Sequence, residues 1–281
     1  MKSLDNKVII YDSNCRVCTS YRNAMLKFTN VPKEKTAAFQ TLPDDLIHLV
    51  DNDQFKNGMA LIDTTGAPTI YGSAAVAHIL ASQSRFLDTL LRLKPLSHLF
   101  DFIYKTQAYN RYIMATPRNR FKCDCEPDRV VKYRVSYIAI ALVIAILLTA
   151  LFGMSLRHFF TGISASEAAM QMLLMAGSGW ALQMLLAVAL LRDKAIDYIG
   201  HLGSIMVVGT LILVPWMLFY AITASPTPYF PLASVFVSST YMLYLHFHRV
   251  RYLDIPQGWT LSWFILLQST AIFWIAFFHL T

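Results

Sequence analysis

The distribution of charge divides this chain into two parts that suit different surroundings. Residues 135–281 contain only nine of the 41 charged residues, although they make up more than half of the 281-residue chain. A long segment with so few charges is poorly suited to water, whereas apolar helices of this composition can lie in lipid. The sequence therefore predicts an N-terminal domain, residues 1–126, followed by an all-α transmembrane domain, residues 127–281.

Five segments of the second part are long and apolar enough to cross a hydrocarbon core of about 30 Å. They are residues 135–154, 168–191, 198–223, 229–247 and 259–280. Between Arg111 and Arg134, just before the first segment, seven basic residues stand against three acidic ones. By the positive-inside rule, this cluster predicts a cell inner-membrane protein with a cytoplasmic N-terminal domain and an external C-terminus. It also favours lipid head groups over nucleic acid as the partner of the cluster.

The N-terminal part opens with an apolar run that breaks at a polar turn and leads to two cysteines. The β-branched and aromatic residues 8–11 predict a buried strand, and Asp12 to Asn14 supply turn and N-cap chemistry for a helix. Cys15 is then expected in the first helical turn, where free N–H groups and the helix dipole favour an exposed thiolate. Arg16 adds a nearby positive charge. Cys18 follows one turn later on the same face.

This geometry predicts a redox pair in which Cys15 is the nucleophile and Cys18 resolves the mixed disulfide. Asp12 either assists proton transfer or caps the helix. Two less favoured interpretations are a metal-binding turn and a pair of ordinary core thiols. The combined strand, turn and helix pattern favours the redox interpretation.

The same stretch resembles the DCC family of thiol-disulfide oxidoreductases. Members typically read Tyr-Asp-Gly-x-Cys-x-x-Cys; this chain has Tyr11, Asp12, Cys15 and Cys18 but places Ser13 where glycine is usual. Serine also tolerates a turn, so the departure is mild. The resemblance implies a thioredoxin-like α/β fold and dithiol exchange that requires no cofactor.

The resemblance extends over roughly the first 125 residues, to the basic-aromatic sequence Arg118-Asn-Arg-Phe121 and the cysteine that follows it. Sequence patterns across this region predict the order βαβαββα, which is that of thioredoxin-like domains. One feature differs. Thioredoxins usually carry a cis-proline before the third strand, facing the cysteines, and this chain has Gly58-Met59 at that place.

Two further cysteines, Cys123 and Cys125, lie immediately before the membrane domain. Three interpretations of them remain open: a relay that exchanges electrons with Cys15 and Cys18, a soft-metal site formed by all four thiolates, and free thiols. No cysteine follows Cys125, so the spans cannot carry electrons through thiols of their own. A redox-active bundle would need a quinone or haem.

Polar residues within predicted spans are the places to look for such a cofactor. His201 and His246 are expected at similar depth near the cytoplasmic side, where they could form a haem, metal or quinone pocket. The simpler interpretation is that these histidines lie at the interface and reach water, and the sequence favours it. No metal site is predicted outside the four-cysteine alternative.

The sequence thus predicts a membrane-anchored thiol-disulfide oxidoreductase that acts on thiols or disulfides of proteins or small molecules. An alternative is a metal-handling or transport-associated membrane protein that binds a soft ion through its four cysteines. A third is an assembly factor that has kept the fold without the turnover.

Overall fold

The computed structural model describes residues 4–117, 125–159, 162–224 and 227–280, and the chain divides into two compact units, Met1–Tyr137 and Ile138–Thr281. Among its described residues, the first unit contains a mixed four-stranded sheet, seven short or medium α-helices and the start of an eighth. The second consists of helices.

The sheet of the first unit has the strand order β2-β1-β3-β4. Its strands are β1 (Lys7–Tyr11), β2 (Thr36–Ala38), β3 (Ala60–Asp63) and β4 (Ile70–Tyr71). β2 runs parallel to β1, with Ile9 beside Thr36, while β3 is antiparallel to β1, with Val8 beside Ile62, and β4 is antiparallel to β3. A parallel pair needs a crossover and an antiparallel pair can use a short loop, so this topology follows the predicted βαβαββα order. The predicted α/β fold class is confirmed.

The helices of this unit cover both faces of the sheet. They are α1 (Arg16–Phe28), α2 (Asp44–Ile47), α3 (Asn52–Phe55), α4 (Gly72–Gln83), α5 (Arg85–Arg92), α6 (Lys94–Ala108) and α7 (Arg111–Met114). Side chains alternate between the two faces along a strand. Ile9 therefore packs with Ile79 of α4 on one face, and Ile10 packs near Phe55 of α3 on the other. Two small cores hold the central strand in place, and the polar turn follows it directly.

The second unit is built from the long helices α8 (Val131–Leu156), α9 (Ala165–Leu190), α10 (Ala195–Thr223), α11 (Tyr229–Tyr252) and α12 (Gly258–Leu280), of which α8 begins within the first unit. Within the described residues, four helical segments are long and apolar enough to span a membrane: Val131–Phe159, Ala165–Leu190, Arg192–Thr223 and Gly258–Phe278. Membrane association is thus supported by these helices.

The predicted number of five spans is wrong by one, because the predicted segment 229–247 forms α11 but is not sufficiently apolar. Hydroxyl, tyrosine and histidine side chains recur along this helix, and Arg249 and Arg251 lie near its end. Polar side chains of this kind make transfer to hydrocarbon costly. The external C-terminus predicted from five spans stays a prediction.

A buried polar network links α9, α10, α11 and α12. Gln183 donates its side-chain N–H to the Tyr198 hydroxyl over 2.7 Å, and this hydroxyl lies 2.9 Å from Nε2 of His246. The other ring nitrogen of His246 lies 3.1 Å from the Thr260 hydroxyl. Hydrogen bonds satisfy polar groups that would otherwise be unpaired inside the helical unit.

Close packing of α9 against α12 generates a matched test of helix association. A Cβ at Gly179 would lie 2.8 Å from Oγ1 of Thr270 and 2.9 Å from Cα of Leu267, whereas a Cβ at Gly177 meets nothing within 4 Å. We expect Gly179→Ala to cost about 1–3 kcal/mol through overpacking and Gly177→Ala to be tolerated. Thermal unfolding followed by tryptophan fluorescence is the measurement, since all five tryptophans lie after residue 137. Equal losses in the two variants would contradict this packing.

Candidate active site

The turn between β1 and α1 is held by two polar side chains, Asp12 and Gln40. Oδ1 of Asp12 accepts the Asn14 backbone N–H at 2.9 Å and the Gln40 side-chain N–H at 2.7 Å. The side-chain oxygen of Gln40 accepts the backbone N–H of Ser13 at 3.0 Å and its hydroxyl at 2.7 Å. Gln40 follows β2, which pairs with β1. Sheet pairing and hydrogen bonding therefore fix the same turn.

The other carboxylate oxygen of Asp12 accepts the hydroxyl of Tyr112, over 3.0 Å. Asp12 is 2% exposed, and burial together with this carboxylate raises the pKa of Tyr112, which keeps the hydroxyl protonated as a donor. Asp12 accepts hydrogen bonds from three residues and does not provide the helix cap. Its expected contribution to proton transfer stays a prediction.

Cys15 itself is the N-cap of α1, one position before the first helical turn in which the sequence placed it. Its backbone is extended, and its sulfur accepts the Cys18 backbone N–H at 3.1 Å. An N-cap acceptor satisfies one of the free N–H groups at the start of a helix. Here the capping atom is a sulfur, so the helix end acts directly on the thiol chemistry.

The two cysteines differ in acidity. The pKa of Cys15 is lowered by a hydrogen bond from the Cys18 side chain, then by the Cys18 backbone N–H and the Arg111 charge, against the effects of burial and Asp12. The pKa of Cys18 is raised well above its ordinary value, because its thiol donates to Cys15 and is partly desolvated. The lower-pKa thiol holds the negative charge first, so the thiolate forms at Cys15 while Cys18 keeps its proton.

The two cysteines also differ in solvent exposure, and the more acidic one is the less exposed. Cys15 is 0% exposed, whereas Cys18 is partly exposed and lines a cavity. The prediction of an exposed thiol at Cys15 is therefore wrong. The reason is nonlocal: α7 packs against α1, and its residue Tyr112 bonds to the turn that carries Cys15.

Arg111 is a functional candidate that the sequence does not single out, because there it belongs to the basic cluster that precedes the membrane domain. It is 4% exposed, and its Nη2 donates to the Cys125 carbonyl at 2.6 Å. Its Nε has no hydrogen-bond partner in the described part of the chain. Arg16, the expected cation beside Cys15, is exposed. No sequence spacing marks Arg111, because its position depends on how α7 folds back onto α1.

The sulfur atoms of Cys15 and Cys18 and a carboxylate oxygen of Asp12 all lie within 4.8 Å of one another. Two thiolates and a carboxylate could hold a soft metal ion. Cys15 and Cys18 are free thiols, whereas Cys125 is disulfide-bonded, and Cys123 and the sequence Arg118–Phe121 lie outside the described residues. A disulfide sulfur is not a thiolate ligand, so this arrangement does not supply the four-thiolate site of the alternative interpretation. The relay role of Cys123 and Cys125 stays a prediction.

The two histidines considered for a cofactor are both buried in the helical unit. Both ring nitrogens of His246 have hydroxyl partners, those of Tyr198 and Thr260, which leaves neither for a haem iron. Nδ1 of His201 lies 2.8 Å from the Arg249 guanidinium. These contacts support structural roles in helix packing, and they give no support to a haem or quinone site. The expectation that both histidines reach water is also wrong, since they are 2% and 0% exposed.

Gly58 and Met59 stand where thioredoxins carry the cis-proline, and the backbone there makes different contacts. The described residues contain no cis peptide bond, and the Met59 backbone N–H donates to the Tyr104 hydroxyl at 3.1 Å. A Cβ at Gly58 would lie 2.8 Å from Cα of Gly72, so only glycine permits this backbone approach. Burial raises the pKa of Tyr104 to about 12, which keeps its hydroxyl neutral. The hydroxyl of Tyr104 thus accepts the hydrogen bond of the Met59 N–H, a backbone donor near the cysteines.

Cys18 opens onto a cavity of about 160 Å³ within the first unit. Its walls are mainly apolar and come from the end of β1, from α1, α3, α4 and α6, and from the segment before β3. Arg111 is the one charged side chain, besides Asp12, among its lining residues. The arrangement can hold a small apolar group beside a thiol and a buried positive charge.

Residues 9–116 match the family model described as DCC1-like thiol-disulfide oxidoreductase. No curated protein and no solved structure matches the chain. The matched range includes the sheet apart from the first two residues of β1, together with α1–α7, Cys15, Cys18 and Arg111. The chain therefore carries a DCC1-like thiol-disulfide oxidoreductase domain, which confirms the resemblance found in the sequence.

The contribution of Arg111 to thiolate formation can be measured directly. We expect Arg111→Met to raise the pKa of Cys15, because the buried positive charge is lost, while Arg111→Lys keeps it low. Arg16→Gln is the control for loss of an exposed charge near the same sulfur. The measurement is the pH dependence of iodoacetamide labelling, with Cys15 and Cys18 distinguished by mass spectrometry and folding checked by circular dichroism. A folded Arg111→Met protein with an unchanged Cys15 profile would contradict this role.

Proposed function

We propose that this protein is a membrane-anchored thiol-disulfide oxidoreductase in which Cys15 and Cys18 exchange two electrons with a disulfide substrate. The observation that carries the proposal is the N-cap sulfur of Cys15, which accepts the Cys18 backbone N–H. The family match over residues 9–116 supports the same reaction class.

In the proposed reaction, the Cys15 thiolate attacks one sulfur of the substrate. The substrate S–S bond breaks, a mixed disulfide forms with Cys15, and the first substrate thiolate leaves. Cys18 then loses its proton and attacks the Cys15 sulfur, which forms the Cys15–Cys18 disulfide and releases the second thiolate. Two electrons pass from the dithiol to the substrate, and an external dithiol restores the reduced pair.

Cys15 is the more acidic thiol, whereas Cys18 is the more exposed one. The order in which they react is therefore part of the proposal. The substrate approaches through the cavity beside Cys18, and Cys15 has to become exposed for the attack. Low pKa favours Cys15 because the thiolate is the reactive species. Cys18, with its raised pKa, is suited to donate a hydrogen bond first and to react second.

We also propose that the N-terminal domain faces the cytoplasm of a cell whose inner membrane holds the helical unit. The basic excess between Arg111 and Arg134 supports this side. Cytosolic dithiols would then be available to reduce the Cys15–Cys18 pair.

A metal-binding function is the second candidate, because Asp12, Cys15 and Cys18 place three ligand atoms close together. Elemental analysis of the purified full-length protein distinguishes it from the first. A stoichiometric soft metal that is lost in Cys15→Ser, together with no disulfide reduction, would favour metal handling. Turnover in metal-free protein would favour the oxidoreductase.

The reaction is tested with full-length protein in detergent, with dithiothreitol as reductant and insulin disulfides as substrate. We expect Cys15→Ser and Cys18→Ser each to abolish turnover, because each removes one of the two required sulfurs. Ser20→Ala, on the exposed side of α1, is the control that should retain it. Absence of turnover in the wild-type protein would discard the enzyme proposal.

The order of attack is tested by trapping the mixed disulfide. In Cys18→Ser the intermediate cannot be resolved, so we expect a substrate thiol to accumulate on Cys15 and to be found there by mass spectrometry. An adduct that forms on Cys18 in Cys15→Ser, without any on Cys15 in the reciprocal variant, would show the reverse order.

A further inference from the structure

We propose that the cavity beside Cys18 selects the substrate by accepting one ring-sized apolar group next to its reacting sulfur. The substrate class is then disulfides that carry an aryl or branched alkyl group beside the S–S bond. This inference rests on the proposed function, since it names the substrate class of the same site.

The walls of the cavity supply the first argument. Apolar side chains from four helices line it, among them Val17, Met25, Phe55, Val76, Phe100 and Ile103. Removing apolar surface from water contributes about 25 cal/mol per Å². A hydrophilic group placed against these apolar side chains would lose its hydration without a compensating partner. The site therefore favours an apolar group.

The size of the cavity supplies the second argument. Its volume of about 160 Å³ is close to that of an engineered apolar protein cavity of about 150 Å³ that binds benzene. One aromatic ring or one branched alkyl group would fill this space. A larger fused ring would extend beyond this volume towards solvent, where it would bury less of its apolar surface.

The polar groups in the wall supply the third argument, because most of them are already occupied within the protein. The side-chain oxygen of Gln107 accepts the Tyr21 hydroxyl, and the Tyr104 hydroxyl accepts the Met59 N–H. Among the fully buried side-chain nitrogen and oxygen atoms that the structure describes in this wall, Nε of Arg111 is the one without a partner. The cavity thus combines an apolar body with one cationic donor near the cysteines. A departing thiolate that carries an apolar group has the matching chemistry.

The apolar group in the cavity belongs to the disulfide that is reduced in the two-electron exchange described above. The substrate S–S bond breaks, the group in the cavity leaves on its sulfur as a thiolate, and Arg111 offsets that charge. The cysteine pair is oxidised and an external dithiol is the reductant for the next cycle. Arg111 then acts first on the Cys15 thiolate and later on the released thiolate.

The first test compares two neutral disulfides, 4,4′-dithiodipyridine and bis(2-hydroxyethyl) disulfide, with the full-length reduced protein. Each kcat/KM is divided by the rate constant for the same disulfide with free dithiothreitol, which corrects for intrinsic reactivity. We expect a normalised preference of at least about tenfold for the aryl compound. Peptide disulfides with Phe or Ser beside the cysteine form a second arm, which shows whether the ring belongs to a small molecule or to a protein.

The decisive variant is Val76→Phe, which fills the cavity from α4. We expect it to lower kcat/KM for the aryl disulfide by at least about tenfold more than kcat/KM for the hydroxyethyl compound, because the ring loses the space that it fills. Ala74→Phe adds a ring on the exposed side of the same helix and should leave the preference intact. Ile103→Ala enlarges the cavity and should shift the preference from phenyl to naphthyl disulfides. All variants are compared in one detergent, so partition of the disulfides into micelles cancels.

A binding measurement separates this inference from the proposed function. Thioanisole is an unreactive aryl thioether. We expect it to slow alkylation of Cys18 in the wild type but not in Val76→Phe. Dimethyl sulfide, which has no ring, should not slow alkylation in either protein. Loss of all turnover with protection retained would overturn the function and support the apolar site. Turnover without aryl preference, or an equal loss for both disulfides in folded Val76→Phe, would overturn the cavity proposal.

Discussion

The chemistry of this protein depends on the contact between Cys18 and the sulfur of Cys15. The backbone N–H of Cys18 donates to that sulfur at 3.1 Å, and hydrogen bonding from the Cys18 side chain further lowers the pKa of Cys15. These bonds stabilise the thiolate of Cys15 and at the same time hold the proton on Cys18. The start of α1 thus gives different acidities to two cysteines that the Cys-x-x-Cys spacing alone does not distinguish.

The surroundings of this contact come from distant parts of the chain. Gln40 after β2 and Tyr112 in α7 both bond to Asp12, so the turn is fixed from two directions. Arg111, next to Tyr112, brings a buried positive charge to the same place. Since α7 supplies both the clamp and the charge, the positioning of the turn and the stabilisation of the thiolate depend on the same helix.

Local features of the fold and site could be predicted from the sequence, whereas nonlocal features could not. The strand, turn and helix around Cys15 and Cys18 follow from neighbouring residues, and the mixed sheet follows from the element order. The burial of Cys15, the role of Arg111 and the cavity depend on α6 and α7 folding back onto α1, for which no spacing rule exists. The length and apolar content of residues 229–247 predict a span, but the polar side chains of α11 lower its hydropathy below that of the four spanning segments.

The most direct test of this account is a site-resolved titration of the two thiols in the reduced wild-type protein. The folded protein is alkylated with a first isotope label at a series of pH values, then denatured and alkylated with a second label. Mass spectrometry of the label ratios gives a separate profile for Cys15 and for Cys18. The account predicts that Cys15 ionises below the ordinary pKa of a cysteine and that Cys18 ionises above it. Ionisation of Cys18 before Cys15, or of both at the ordinary value, would contradict it.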